Sequence, residues 1–280
     1  MPVKDFLIGN LLRLIKMHIH GTIFWTIAVH AFHHQDGIYG ILTQSIGLPQ
    51  SKALEFISGY GLSFCLGASM WSGLEIASCA VNIVEAVFWP IARKVLPSDW
   101  APQDEFDTTR YPELFSTPWA RESMSDFWGR GWHALFRRDL IFCAAMPLGK
   151  LFGRFGKVAG QIGGLIGAMG LSAFMHEYAI ASISRARWDY EIAAFFMHCA
   201  FVMLFETMLE RFTKFKISGI FGHVWTYGWL MYLGKPGMDL WMVRGLGEGM
   251  TPVSQWTWKR FVFPAGTLMP NEWLDVFIPF

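Results

Sequence analysis

The chain has 280 residues, of which 53% are hydrophobic and only 16% charged, with a formal net charge of +1. Soluble domains carry about 25% charged residues, so this shortfall, together with 14 Trp and 25 Phe, indicates an integral membrane protein. The near-neutral balance excludes a global electrostatic pull toward nucleic acid.

A membrane-crossing helix needs about 20 mostly apolar residues. Residues 6–32 are apolar but carry Arg13, Lys16, His18 and His20. Such a segment spans with its basic side chains reaching the interface, or lies flat on it; composition supports both. Residues 37–50 hold Gly and Pro and read as a loop. The apolar tract 53–89, ended by Pro90, is long enough for one span plus an interfacial helix, or for two short spans joined near Gly73. Glu75, Asn82 and Glu85 lie in its second half. A lone charge at mid-bilayer costs roughly 2.5–3.5 kcal/mol, so these carboxylates should face other helices, a cavity or the interface. Residues 90–119, rich in proline and holding the acidic run 103–107, read as a solvent-exposed loop.

Residues 125–138 read Ser-Asp-Phe-Trp-Gly-Arg-Gly-Trp-His-Ala-Leu-Phe-Arg-Arg. Large aromatic rings and basic side chains both find their solvent at the water–membrane interface. A short apolar run, 140–151, comes next, with Lys150, Arg154 and Lys157. Residues 158–184 form the strongest membrane helix. Gly160 and Gly164, and likewise Gly163 and Gly167, lie four apart, the spacing that lets helix backbones approach closely. His176 and Glu177 fall in its last third. A further span covers 191–209, with His198 and Glu206 inside, and a shorter one 219–233. Residues 235–280 leave one more short span or re-entrant segment open. Cys65, Cys79, Cys143 and Cys199 form no Cys-x-x-Cys pair and read as small buried residues. The N-terminus lacks the pattern of a cleaved signal peptide, so the first apolar segments are expected to be retained. The expected fold is all-α: a polytopic transmembrane helical bundle of roughly five to seven membrane helices with interfacial helices, forming a single membrane-embedded domain over 1–280.

The histidines offer two chemistries. His30, His33 and His34 have the His-x-x-His-His spacing of a di-iron box. Such a site needs about eight ligands, and no second box is present, so an interfacial cluster at a helix end is the better reading. His176 is an ionisable residue inside an apolar helix, which is a functional-site hypothesis by default. Histidine also has the right intrinsic basicity for a general base near neutral pH. The alternative for His176 is a buried side chain bonded to a backbone or hydroxyl group. Glu177, about 100° further round the helix, could meet an arginine on a neighbouring helix. His133 shares a helical face with Gly129, Arg130 and Arg137, and serves chemistry or anchors an interfacial turn. His198 and His223 read as core or interfacial. The chain has no Walker loop and no Gly-x-Ser-x-Gly elbow.

Pro112-Glu113-Leu114-Phe115, Pro118-Trp119, Ser125 through His133 and Phe136-Arg137-Arg138, followed by Met175-His176-Glu177, resemble the wax synthase-like branch of the membrane-bound O-acyltransferases, in its fungal form. His133 and His176 lie 43 residues apart, as in that branch. Gly131 departs from it, standing where the family usually has a second arginine; plant relatives place asparagine at the position of His133. The chain is also short for the family at its N-terminus. The resemblance implies transfer of an acyl group from acyl-CoA, as co-substrate, to a lipophilic alcohol: a long-chain alcohol, a sterol or a terpenoid secondary metabolite. It implies His176 as catalytic base and His133 as a second catalytic residue. Asp126, Trp128, Arg130, Trp132, Arg137, Arg138 and Glu177 would bind substrate or CoA. No metal or resident cofactor is implied. The expected location is multi-pass in a bilayer, that of the endoplasmic reticulum. Two other readings stay open: a non-catalytic lipid-binding homologue, and the di-iron oxidase.

Overall fold

The computed structural model describes residues 2–132, 134–184, 188 and 190–246. Regular structure among them is entirely helical. Six long elements dominate: α1 Val3–His33, α2 Gly61–Val95, α3 residues 137–153, α4 Lys157–Ser184, α5 Glu191–Thr213 and α6 Gly219–Trp241. In α3, the helical pieces Arg137–Leu140 and Met146–Gly153 are joined by the wider turn Ile141–Ala145. The described residues form two compact units: one of 2–55 and 64–114, the other of 56–63 with the described residues from 115 to 246.

In the first unit α1 lies antiparallel to α2. Asn82 Nδ2 donates to Asn10 Oδ1 at 3.0 Å, Arg13 pairs with Glu75 at 3.3 Å, and Phe24 meets Phe64 edge-on at 5.6 Å. His20 Nδ1 lies 2.7 Å from Ser72 Oγ. That hydroxyl already donates to the Ala68 carbonyl, so it accepts from the imidazole. Positions 10, 13, 17, 20 and 24 repeat at three and four residues, the spacing of a helix–helix seam, and Met17 is buried in it. The opposite side of α1 leaves Ile8, Leu12, Ile15, Ile19 and Ile23 exposed. Polar pairs inside and aliphatic side chains outside is the arrangement lipid selects, because apolar contact with lipid costs nothing while an unpaired polar group does. Glu75 and Asn82 thus face another helix, as required of polar groups in that tract. Arg13 also pairs with Glu113.

Two boundaries differ from the sequence expectation. The helix runs through Pro90 to Val95, because a proline near the C-terminal end removes a single backbone hydrogen bond. The break before it falls at Gly59–Tyr60, so the tract holds a short helix, Lys52–Ser58, and one long one, not two short spans joined near Gly73. The expected loop at 37–50 contains the helical turns Gly37–Gly40 and Ile41–Ser45.

The second unit is built on an antiparallel hairpin of α3 and α4. Its seam is glycine. A side-chain carbon at Gly160 would lie 3.0 Å from the Gly149 carbonyl oxygen, at Gly164 3.3 Å from that of Ala145, and at Gly167 2.7 Å from that of Ala144. The four-residue glycine spacing is therefore used as read. α4 packs on α5, and α5 on α6. Met124, Phe127, Met169, Ala173, Phe196 and Cys199 belong to their shared core.

Three helices among the described residues are long and apolar enough to cross a membrane: Lys52–Val95, Lys157–Ser182 and Glu191–Thr213. Against the expectation of roughly five to seven spans, length and composition identify these three among the described residues. In α1, of 31 residues, four histidines dilute the apolar run. In α6, of 23 residues, glycine, His223 and Pro236 do the same.

Candidate active site

The aromatic-basic stretch begins at a helix start. Ser123 Oγ accepts the Asp126 amide at 3.0 Å, an N-cap followed three residues later by a carboxylate. The turn Met124–Asp126 widens over Phe127–Gly131, where the Trp132 amide reaches back to the Phe127 carbonyl at 2.7 Å. Such wide turns accommodate side chains that must be aimed away from the regular spiral. Phe127 stacks on Trp132 with centroids 5.4 Å apart. Trp128 packs on Phe196 of α5 at 5.5 Å, and Phe196 lies 4.6 Å from the imidazole of His176. One phenylalanine therefore bridges the stretch to the membrane histidine.

His176 Nδ1 lies 2.8 Å from the Ser172 carbonyl oxygen, one turn back on α4. A carbonyl oxygen can only accept, so Nδ1 carries the proton and Nε2 of the neutral ring keeps its lone pair. That is the tautomer a general base requires. His223 makes the same bond to the Gly219 carbonyl, so the bond alone does not mark a catalytic histidine; His176 differs in lying on an apolar helix beside the aromatic stretch.

The hairpin register decides which basic residues accompany it. Residues 149, 145 and 144 of α3 lie opposite 160, 164 and 167 of α4. Continued along α3, this brings Arg137 and Arg138 to within about one turn of the level of His176, and the turn Arg137–Leu140 does contact α4. Lys150, Arg154 and Lys157 sit at the opposite end of the hairpin. Lys157 precedes His176 by 19 residues, or about 28 Å of helix, nearly the thickness of a bilayer core. The basic residues from Arg137 to Lys157 thus fall at the two ends of the hairpin. The shallow groove lined by Gly149, Lys150 and Lys157 belongs to the far one.

The remaining candidates are placed as follows. Asp126 sits between two arginines, 2.5 Å from Arg130 and 3.4 Å from Arg121. Arg130 is 74% exposed and otherwise reaches outward. Arg137 donates to the Trp132 carbonyl at 3.4 Å; Arg138 is exposed. Glu177 is 1% exposed and accepts the backbone amides of Tyr190 and Ala193 at 3.3 and 3.2 Å. It caps the first turn of α5, where a helix presents unpaired N–H groups and positive potential. Among the described residues no arginine pairs with it. His133 lies outside the described residues. His30, His33 and His34 sit at the end of α1, the rings of His30 and His34 6.2 Å apart. Among the described residues no group of three or more His, Cys, Asp or Glu is placed to hold a metal ion.

Gly131 has a steric reason to be glycine. It is buried, and a side-chain carbon there would lie 2.6 Å from Cγ and 3.0 Å from Nε of Arg121. Arg121 itself reaches the backbone oxygen and hydroxyl of Ser116. A guanidinium therefore occupies the space against Gly131, which the sequence alone presented as a lost charge.

Sequence reasoning overlooked Glu206. It is 7% exposed and accepts from the Met124 amide at 2.8 Å, the Ser125 amide at 2.9 Å, the Ser125 hydroxyl at 2.7 Å and the Trp225 indole at 2.9 Å. Its place in an apolar span was a signal; its partners, on segments far away in the sequence, were not readable.

Residues 111–198 match the model of the membrane bound O-acyl transferase family. A long-chain-alcohol O-fatty-acyltransferase of Simmondsia chinensis is 28% identical over 142 residues, covering 46% of this chain and 40% of the relative. Acyl-CoA–sterol O-acyltransferase 1 of Arabidopsis thaliana is 29% identical over 97 residues, covering 35% of this chain and 28% of the relative. The chain thus spans less than half the length of these curated relatives. No solved structure matches it. The matched segment holds the aromatic-basic stretch, α3, α4 with His176 and the start of α5, and together these likenesses support the membrane-bound O-acyltransferase family.

Proposed function

We propose that the chain is a multi-pass membrane O-acyltransferase of the wax synthase-like, fungal type. It moves an acyl group from acyl-CoA to the hydroxyl of a lipophilic alcohol: a long-chain alcohol, a sterol or a terpenoid secondary metabolite. The observation that carries this reading is the bond from His176 Nδ1 to the Ser172 carbonyl, which leaves Nε2 as the basic nitrogen of the neutral ring, inside an apolar helix within the segment that matches the family. We count α1 and α6 as additional spans, both being long enough by rise per residue, and treat residues 1–280 as one domain in the endoplasmic reticulum membrane.

An alcohol loses its proton only far above neutral pH, so its oxygen needs a base as it attacks. Nε2 of His176 takes that proton while the oxygen bonds to the thioester carbonyl carbon. The carbonyl oxygen gains negative charge and needs a donor; His133 is assigned that role. Collapse re-forms the carbonyl, breaks the carbon–sulfur bond and returns the proton from His176 to the leaving thiolate. No Lewis acid is needed, because a thioester is already activated. Trp128, Trp132 and Phe196 form the apolar wall beside the base. Arg137 and Arg138, level with His176, are the side chains we assign to the CoA phosphates, with Arg130 reaching outward beside them. Glu177 and Asp126 act on the protein itself, by holding α5 and two arginines.

The test incubates membranes containing the protein with labelled acetyl-CoA or palmitoyl-CoA and a panel of long-chain, sterol and terpenoid alcohols. Labelled ester above that of control membranes supports the reading. No ester with any pair overturns it in favour of the lipid-binding homologue.

A further inference from the structure

The carboxylate of Glu206 uses both oxygens twice. Oε1 accepts from the Met124 amide and the Trp225 indole; Oε2 accepts from the Ser125 amide and hydroxyl. Among the described residues it has no ion pair within reach. A buried carboxylate without a cation is tolerable only when donors replace water, and the backbone of the Met124–Asp126 turn supplies two of them. With four donors in place, the group has no lone pair directed at a substrate, so it cannot serve as a base.

What it holds is the aromatic-basic stretch. Two further contacts seat the same loop on α6. Tyr227 donates its hydroxyl to the Pro118 carbonyl at 2.6 Å, and a side-chain carbon at Gly222 would lie 3.0 Å from Cβ of Glu122. From Glu206 the loop runs through Phe127 to Trp128, which lies against Phe196 and through it against His176.

We propose that Glu206 is a positioning residue that docks residues 123–132 onto α5 and α6 and thereby fixes the aromatic wall beside His176. This rests on the acyl-transfer reading for its effect on turnover, but not for the docking itself. Glutamine at 206 would keep one oxygen and replace the other with an NH2 that cannot accept, so half of the contacts become donor against donor. Trp225→Phe and Ser125→Ala each remove one donor and keep the ring or the backbone.

The experiment uses the full chain, purified in detergent, as wild type, Glu206→Gln, Trp225→Phe and Ser125→Ala. Hydrogen exchange of the amides of residues 123–132 reads the docking; kcat and KM with palmitoyl-CoA and a long-chain alcohol read the consequence. Glu206→Gln is expected to raise exchange of the Met124 and Ser125 amides about tenfold or more. It should lower kcat about tenfold or more with a smaller change in KM, since the wall acts on the reacting geometry. The two single-donor variants should show the same pattern at about half the logarithmic size, which keeps the test open should Glu206→Gln fail to fold. Unchanged exchange overturns the docking. Faster exchange with unchanged kcat overturns the positioning role. If the wild type proves inactive, the acyl-transfer reading fails, and the exchange result alone decides the docking.

Discussion

Gly167 and Gly170 lie one helical turn apart on α4, yet adding one methyl group to each should have opposite results. At Gly167 the added carbon would meet the Ala144 carbonyl oxygen at 2.7 Å, its carbon at 3.0 Å and Leu148 Cδ1 at 3.0 Å. Two of those atoms are backbone and cannot rotate away, so α3 must move. Overpacking of this kind costs about 1–3 kcal/mol. At Gly170 nothing lies within 4 Å. Alanine is favoured over glycine in a helix by about 0.8–1.0 kcal/mol at either site, and the term cancels in the comparison. Gly167→Ala should therefore be less stable than Gly170→Ala by about 1–3 kcal/mol. Reversible unfolding of the two purified proteins in bicelles measures the difference directly. Equal stability would mean that the α3–α4 seam does not pass through Gly167, and with it would go the register that brings Arg137 and Arg138 level with His176.

Glu177→Ala removes the acceptor for the Tyr190 and Ala193 amides. Bonds to a charged group contribute about 1.5–3 kcal/mol each, and at 3.3 and 3.2 Å the lower end applies, so unfolding should become easier by about 3 kcal/mol. Glu177→Gln should cost about half that, and equal stability of all three forms would contradict the capping role. Gly131→Arg should expel Arg121 from its place against Ser116, lowering thermal stability without improving KM for acyl-CoA; a tighter KM would restore the lost-charge reading. Arg137→Gln with Arg138→Gln should raise KM for acyl-CoA about tenfold with kcat nearly unchanged. Lys150→Gln with Lys157→Gln, at the other end of the hairpin, should change neither, and the reverse outcome would relocate the phosphate site.

The glycine spacing on α4 was fully legible, because close backbone approach has a local signature that needs no knowledge of the partner. Composition singled out the aromatic-basic stretch, while its helix start, capped by Ser123 with Asp126 three residues on, was passed over. The connections between such pieces were not legible. Glu206 meets Met124 and Ser125 across more than 80 residues, and Arg121 fills the space beside Gly131, through tertiary packing that no periodicity encodes. Pro90 misled because a proline usually ends a helix, whereas near a helix end it removes only one hydrogen bond. Which of the basic residues from 130 to 157 accompany His176 depends on the hairpin register, which the sequence does not state.

The most direct measurement compares purified wild type with His176→Ala in ester formation from palmitoyl-CoA and the best alcohol of the panel, with unfolding followed in parallel. A positioned base contributes about 10²–10⁴-fold, so His176→Ala should lower kcat by at least about 100-fold while the protein stays folded. Turnover near the wild-type value in folded His176→Ala would contradict the assignment of His176 as the base.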